Sequence, residues 1–255
     1  MLRTIILQPY KKCERKKVVK ALDELCSPED NYGWASAGIY VYWDYYTNDV
    51  LYVGLAVDLT ERFKQHNGFY PEIDKRTCKY EQIEKYFSDN EKLGFSIIVQ
   101  SPLSQPVTSK LKKKYKEFTE QFSPIENYIG NEGTEAIKYQ EGLLIESFRI
   151  NNGCIPKWNK MNGSIVGQNS VKPINFEALK VISNQTDNFL LAKSSLLEIA
   201  ENPTFERFEN FMHGVRIIAP VYGQKRAIEF LRSQSLIDTY GQMIEAGYLN
   251  KKLDI

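Results

Sequence analysis

The sequence predicts an α+β fold: a small three-stranded antiparallel sheet flanked by helices, with an N-terminal extension, insertions and a mainly helical C-terminal region. Three observations predict it. Gly38-Ile-Tyr-Val-Tyr-Trp43 and Val50-Leu-Tyr-Val-Gly54 are β-rich runs, and the turn-prone Thr47-Asn48-Asp49 between them marks a hairpin. Phe95, Ile97 and Val99 alternate as a third strand. The segments around and beyond these runs carry apolar residues at helical spacing.

Taken in order, residues 2–7 read as a strand and 11–26 as a helix with Val18, Val19, Leu22 and Leu25 on one side. Ser27-Pro-Glu-Asp-Asn-Tyr-Gly33 is a loop by its turn residues. Strand alternation puts Ile39 with Val41, and Leu51 with Val53, on one face of the hairpin, leaving Tyr40, Tyr42 and Tyr52 on the other. Asp58 followed by Glu61 opens a helix and Gly68 stops it. Leu55, Leu59 and Phe63 are spaced to bury on that helix, while Arg62 and His66, one turn apart, share a neighbouring stripe. A further helix is expected over 79–87.

Residues 101–133 read as an insertion with a short helix over 109–121. A strong helix follows from about Thr134 to Ile150, striped by Ile137, Leu144, Ile145 and Phe148, with Glu141 in mid-stripe and Glu146 turned to the solvent side. Residues 161–173 form a polar, glycine-containing linker. Beyond it, helices are expected near 175–183, 187–200, 203–213, 224–232 and 235–246, with Pro203 at a first helical position. The chain thus divides into a strand–helix extension (1–35), a core (36–160), the linker, and a helical region (174–255).

Composition narrows the function classes. Apolar content of 42% and charged content of 25% are those of an ordinary globular protein. No apolar run approaches the ~18 residues of a membrane span, and the first residues lack a cleavage-site pattern, so a cytoplasmic protein without a membrane partner is expected. The four cysteines (13, 26, 78, 154) are scattered, with no CxxC pair, and are expected to be free and mostly buried. With only His66 and His213, a Cys/His zinc site is not expected; a metal here would be a hard ion held by carboxylate and water. The net charge of +1 gives no general attraction to polyanions. A local one exists in Lys110, Lys112, Lys113, Lys114 and Lys116, five lysines in seven residues around Tyr115, a charge run that by itself reads more often as a solvated helix face.

The spacing of the chemistry-bearing residues is more specific. Gly38-Ile39-Tyr40 is followed after eleven residues by Tyr52-Val53-Gly54; Arg62 comes eight residues later and His66 one turn beyond. Glu141-Gly-Leu-Leu-Ile145 and Pro156-Lys-Trp-Asn159 complete the series. In this order the set resembles the GIY-YIG nuclease family, over residues 36 to 160. The resemblance implies a metal-dependent phosphodiesterase in which Glu141 holds one Mg²⁺ (or Mn²⁺), Arg62 clamps phosphate, Tyr40 and Tyr52 serve as general base and positioning group, and Asn159 orients a catalytic group or bonds the substrate backbone. It leaves open which tyrosine is the base, with Tyr40 preferred. Taken alone, Glu141 reads first as half of a structural salt bridge, to Arg149 or a lysine, and the lysine run 110–116 as a solvated face; beside the resemblance Glu141 reads as the metal ligand and the run as lining a nucleic-acid groove. Many members carry a lysine directly after the second tripeptide, where this chain has Leu55. His66 is the expected substitute, relaying the proton of Tyr40 or touching phosphate.

The expected activity is therefore a sequence-directed, restriction-like endonuclease acting on double-stranded DNA, as a homodimer or by repeated nicking. The alternatives are a homing or mobile-element nuclease, or a non-cleaving nucleic-acid-binding protein on the same fold. Target sequence and the role of residues 174–255 carry no signature.

Overall fold

The computed structural model describes residues 2–26, 34–71, 78–101, 104–106 and 132–255. The lysine run 110–116 and the helix expected over 109–121 lie outside the described residues. The fold is α+β, built on an antiparallel open sheet flanked by helices. Its strands are β1 (Leu2–Leu7), β2 (Tyr10–Lys11), β3 (Gly38–Asp44), β4 (Val50–Ala56) and β5 (Lys92–Gln100), in the order β1-β5-β3-β4 with β2 also on β5. The sheet is therefore wider than the three strands expected. β1 and β2 both pair with β5, a long-range choice that no local pattern announces.

The hairpin forms as expected, with Asn48 at a left-handed φ of 63° in its turn. Its alternation breaks once. Tyr42 lies opposite Tyr52 but Trp43 lies opposite Val50, so Leu51 is an extra residue that packs on the tyrosine side instead of beside Val53. The face carrying Tyr40, Tyr42 and Tyr52 is covered by α1 (Arg15–Leu25), α2 (Leu59–His66) and α3 (Tyr80–Asp89), around Tyr10, Leu22, Phe63 and Phe95. The opposite face buries Ile39, Val41, Trp43 and Val53 against Ile137, Leu144 and Ile145 of α4 (Glu132–Asn152) and against Ile182. Leu55, expected on α2, instead belongs to β4 and packs on this second face.

Both edges of the sheet are occupied. Beyond β1, Leu190 to Ala192 run alongside Ile5, whose N–H donates to Leu190 O at 2.8 Å and whose carbonyl accepts from Ala192 N at 2.8 Å. Of residues 187–200, expected as helix, Leu190 to Ala192 are thus spent on closing an edge, and only the stretch that begins α7 (Leu196–Glu201) is helical.

The expected linker is also structured. It holds α5 (Ile165–Gln168), pressed so closely onto α4 that a Cβ at Gly142 would stand 2.3 Å from the Ser164 carbonyl. Then come α6 (Ile174–Val181), α8 (Pro203–Tyr222), α9 (Gln224–Gln234) and α10 (Thr239–Glu245). α8 starts at Pro203 as expected, capped by Asn202, and runs well past residue 213. Phe208, Met212, Val215, Ala227, Met243 and Tyr248 form a separate small core there. No helix among the described residues is long and apolar enough to cross a membrane. All four cysteines are free; Cys26 and Cys78 are buried, but Cys13 and Cys154 are exposed, so burial is less general than expected.

Candidate functional site

The tyrosine face of the hairpin supplies the floor of the site. Tyr40 and Tyr52 meet above Gly54, where an added Cβ would lie 2.6 Å from the Tyr40 hydroxyl oxygen and 2.6 Å from Cε1 of Tyr52. Glycine is needed at 54 because the two rings fill the space a side chain would take. Tyr42, on the same face, is fully buried and accepts a bond from Asn67, so it belongs to the core beneath.

α2 carries the next two groups. Its start is fixed by Asp58, whose side chain accepts the Glu61 N–H at 2.9 Å, and Gly68, at φ 79°, follows its end. Phe63 and Leu59 anchor it in the core, which turns His66 inwards and leaves Arg62 half-buried. His66 lies 2.8 Å from the Tyr40 hydroxyl through Nε2, and its Nδ1 accepts the backbone N–H of Lys79 at 2.8 Å. A backbone N–H can only donate, so Nδ1 holds a lone pair and the ring proton of the neutral imidazole sits on Nε2. Burial, then Arg62 and Lys79, push the His66 pKa down to about 3, which keeps the ring neutral. The direction of the chain follows: His66 Nε2–H donates to the Tyr40 oxygen, and the Tyr40 hydroxyl is bonded in turn to Tyr52. His66 is thus no acceptor for the Tyr40 proton, and, fully buried, it does not face a phosphate. Both expected roles for it give way to one: steadying the Tyr40 oxygen.

Burial raises the pKa of Tyr40 well above the ordinary phenol value, and raises that of Tyr52 as well; Arg62 opposes the rise at both. Tyr40 is 3% exposed, while Tyr52 is only partly buried and stands at the open end of the chain.

The remaining two expected residues lie along the free edge of β4. The outward-facing backbone groups of Leu51, Val53 and Leu55 are taken in sequence by Trp158, Asn159 and Glu141. Trp158 N–H donates to Leu51 O at 2.8 Å. Asn159 accepts the Val53 N–H at 2.9 Å and donates to the Val53 carbonyl at 2.8 Å. Glu141 reaches from α4 to accept the N–H of Leu55. Asn159 therefore spends its amide on the backbone of the strand that carries Tyr52 and Gly54. Glu141 approaches the site, since its charge acts on Tyr52 and Arg62 acts on it. Burial raises the Glu141 pKa. Arg149, the partner considered for a structural ion pair, is bound instead to Glu146 at 2.7 Å on the exposed side of α4.

Lys79 is the functional candidate that sequence reasoning missed. It precedes α3, is 4% exposed, and holds its Nζ 4.8 Å from the centre of the Tyr52 ring. One lysine among 33 basic residues gives no signal of this, and nothing in the chain near residue 79 ties it to the hairpin. Lys79 supplies the cation near the tyrosines that Leu55 does not.

Among the described residues no three His, Cys, Asp or Glu side chains gather as a metal cage. Glu141 offers a single half-buried carboxylate with one backbone donor, the donor set suited to a hard ion that keeps most of its water. Two cavities of about 370 and 320 Å³ open against residues 185–193, and none of the six expected site residues lines either. Comparison with models of protein families, with curated proteins and with solved structures finds no match to this chain.

Proposed function

We propose that the chain is a metal-dependent endonuclease of GIY-YIG type, hydrolysing phosphodiester bonds in double-stranded DNA in a restriction-like manner, with β4-β3-β5 as the family's three-stranded core. The observation that supports this best is the approach of five of the six expected residues, from β3, β4, α2 and α4, to one partly open surface. There the Arg62 side chain has neither an ion pair nor a hydrogen bond among the described residues, a disposition that suits an anion arriving from outside.

Each residue then has a task that its environment supports. Arg62 takes two oxygens of the scissile phosphate, which its planar fork matches. Tyr52, the phenol that solvent reaches, serves as base in its phenolate form, which Arg62 and the hydrogen bond from Tyr40 favour against burial, and takes the proton of the attacking water to become the phenol; Tyr40, steadied by His66, holds its oxygen in place from behind. This reverses the expected preference for Tyr40 as base, because the Tyr40 oxygen is shut in and already receives the His66 proton donor. Glu141 would hold Mg²⁺ or Mn²⁺. When bound, that ion supplies Lewis-acid polarisation of the phosphate and neutralises charge on the leaving oxygen. Asn159 keeps the Tyr52 strand in register.

The test is incubation of plasmid DNA with the protein and Mg²⁺, beside Glu141→Gln and beside a chelated sample. Metal-dependent cleavage by the parent, lowered at least about a hundredfold in the variant, is the expected result. Binding without cleavage under varied metals would favour a binding protein on the same fold. Sequencing the ends cut from a mixed-sequence library reads the target: a fixed flanking motif is expected of a restriction-like enzyme, and random ends argue against that part of the proposal.

A further inference from the structure

We propose that Lys79 forms a second phosphate subsite, taking a backbone phosphate of the nucleic acid strand beside the one held by Arg62. The proposal rests on the nuclease reading for the identity of the strand. Its physical basis is separate. Lys79 is 4% exposed, yet among the described residues no carboxylate is paired with it. Its stem is enclosed, but its Nζ is not one of the fully buried nitrogens left without a partner, so the amine keeps a narrow contact with solvent through which an anion can reach it. Here the charge that acts on it most is that of another lysine, Lys160, which repels it. Arg62 adds to the same field, acting on His66, Tyr40 and Tyr52.

The amine is also held in place. Its own backbone N–H is tied to His66 Nδ1 at 2.8 Å, its carbonyl accepts the Ile83 N–H at 2.9 Å as α3 begins, and Nζ rests over the Tyr52 ring. The ring face offers only a weak counterpart to a cation, and leaves the ammonium protons unused. A phosphate supplies what is absent, a full negative charge with three-fold acceptor capacity, and a nucleic acid strand supplies phosphates at regular intervals. Lysine suits a neighbouring phosphate better than the reacting one, because it is a point charge without the two-oxygen fork of Arg62.

The experiment measures duplex DNA affinity across a salt series, using Glu141→Gln so that binding is read without cutting, and compares it with Glu141→Gln carrying Lys79→Met or Lys79→Arg. Loss of one phosphate contact is expected to reduce the slope of log K against log salt by about 0.9 in the methionine variant and to leave it unchanged with arginine. The methionine variant keeps the stem and removes a repelled charge, so its melting temperature should be no lower than that of Glu141→Gln. An unchanged slope overturns the subsite, even where the parent cleaves plasmid and the nuclease reading stands. A reduced slope in a protein whose parent never cleaves supports the subsite and removes the nuclease reading. Failure of Glu141→Gln to bind any duplex overturns the subsite; should the methionine variant not fold, Lys79→Gln is read in the same way.

Discussion

Two groups of enclosed or half-buried cations lie in this chain, and they are treated in opposite ways. In α8, Arg216 is 2% exposed and its Nη1 pairs with Glu209, itself 0% exposed, at 2.9 Å. The rest of its fork donates to the Phe189 and Leu191 carbonyls, and Glu209 also accepts from Tyr248 and from the Lys193 N–H. Nearly every donor and acceptor is spent on tying the helical region to the loop that closes β1. Around Tyr52, by contrast, Arg62 and Lys79 have no carboxylate paired with them among the described residues. Charge that serves architecture is matched from within the chain. The charge left unmatched beside Tyr52 is what the proposed phosphate contacts would use.

This contrast can be broken most sharply through stability. Arg216→Met strands the Glu209 carboxylate in the interior, and a loss of about 3–5 kcal/mol is expected. Arg62→Met strands nothing, and its stability should stay within about 0.5 kcal/mol of the parent. Urea unfolding of the two variants gives both numbers. Comparable losses would mean that Arg62 is as structural as Arg216, and the phosphate clamp would lose its best argument.

A pH series comes next in size and sets the two histidines side by side. His66 and His213 are both held down to about 3 by burial first, then by Arg62 and Lys79 at the former and by Arg216 at the latter. Both are therefore neutral in the folded chain at pH values where the unfolded chain, with an ordinary value near 6.5, takes up a proton at each. Their contribution is whole above about pH 6.5 and is lost as pH falls towards 3, at about 1.4 kcal/mol per pH unit for each histidine. Glu141, whose pKa is raised, contributes in the other sense and gains as pH falls. Replacing His213 with Gln should flatten the dependence of unfolding free energy on pH between 6 and 4 by one histidine's share. An equal slope in parent and variant would show that His213 is already protonated in the folded state.

The same contrast marks what the sequence made legible. Features governed by neighbours in the chain were readable: the hairpin with Asn48 in its turn, the Asp58 cap, Gly68, and the helix bearing Glu141 in its apolar stripe. Features set by distant pairing were not. Leu190 to Leu197 hold enough leucine to read as helix, yet the backbone of residues 190–192 is spent on Ile5, so tertiary hydrogen bonding overrides the pattern. Leu51 looked like a partner of Val53 until a one-residue slip in pairing put it with the tyrosines. The polar stretch around Gly163 read as linker because glycine suits a loop equally well as a close crossing, and only the contact with Gly142 decides between them. Within the site, the spacing of Tyr40, Tyr52, Arg62, His66 and Glu141 was visible, whereas the orientation of the His66 proton depended on the backbone of Lys79, thirteen residues further along.

Asn159 gives the smallest expected effect and the finest division between holding a site and taking part in it. Its amide closes a two-bond clasp on Val53, next to Tyr52 in an edge strand that solvent can reach. In Asn159→Ala, water replaces both bonds, so the net loss of stability should be about 1–2 kcal/mol. Asn159→Asp keeps the acceptor for the Val53 N–H but turns its other oxygen towards the Val53 carbonyl, where two acceptors repel. If Asn159 acts only through the backbone, the two variants should lose cleavage in step with their loss of order in β4, read from amide exchange at Val53 and Leu55. A variant that keeps those amides protected while losing cleavage would place Asn159 against the substrate after all.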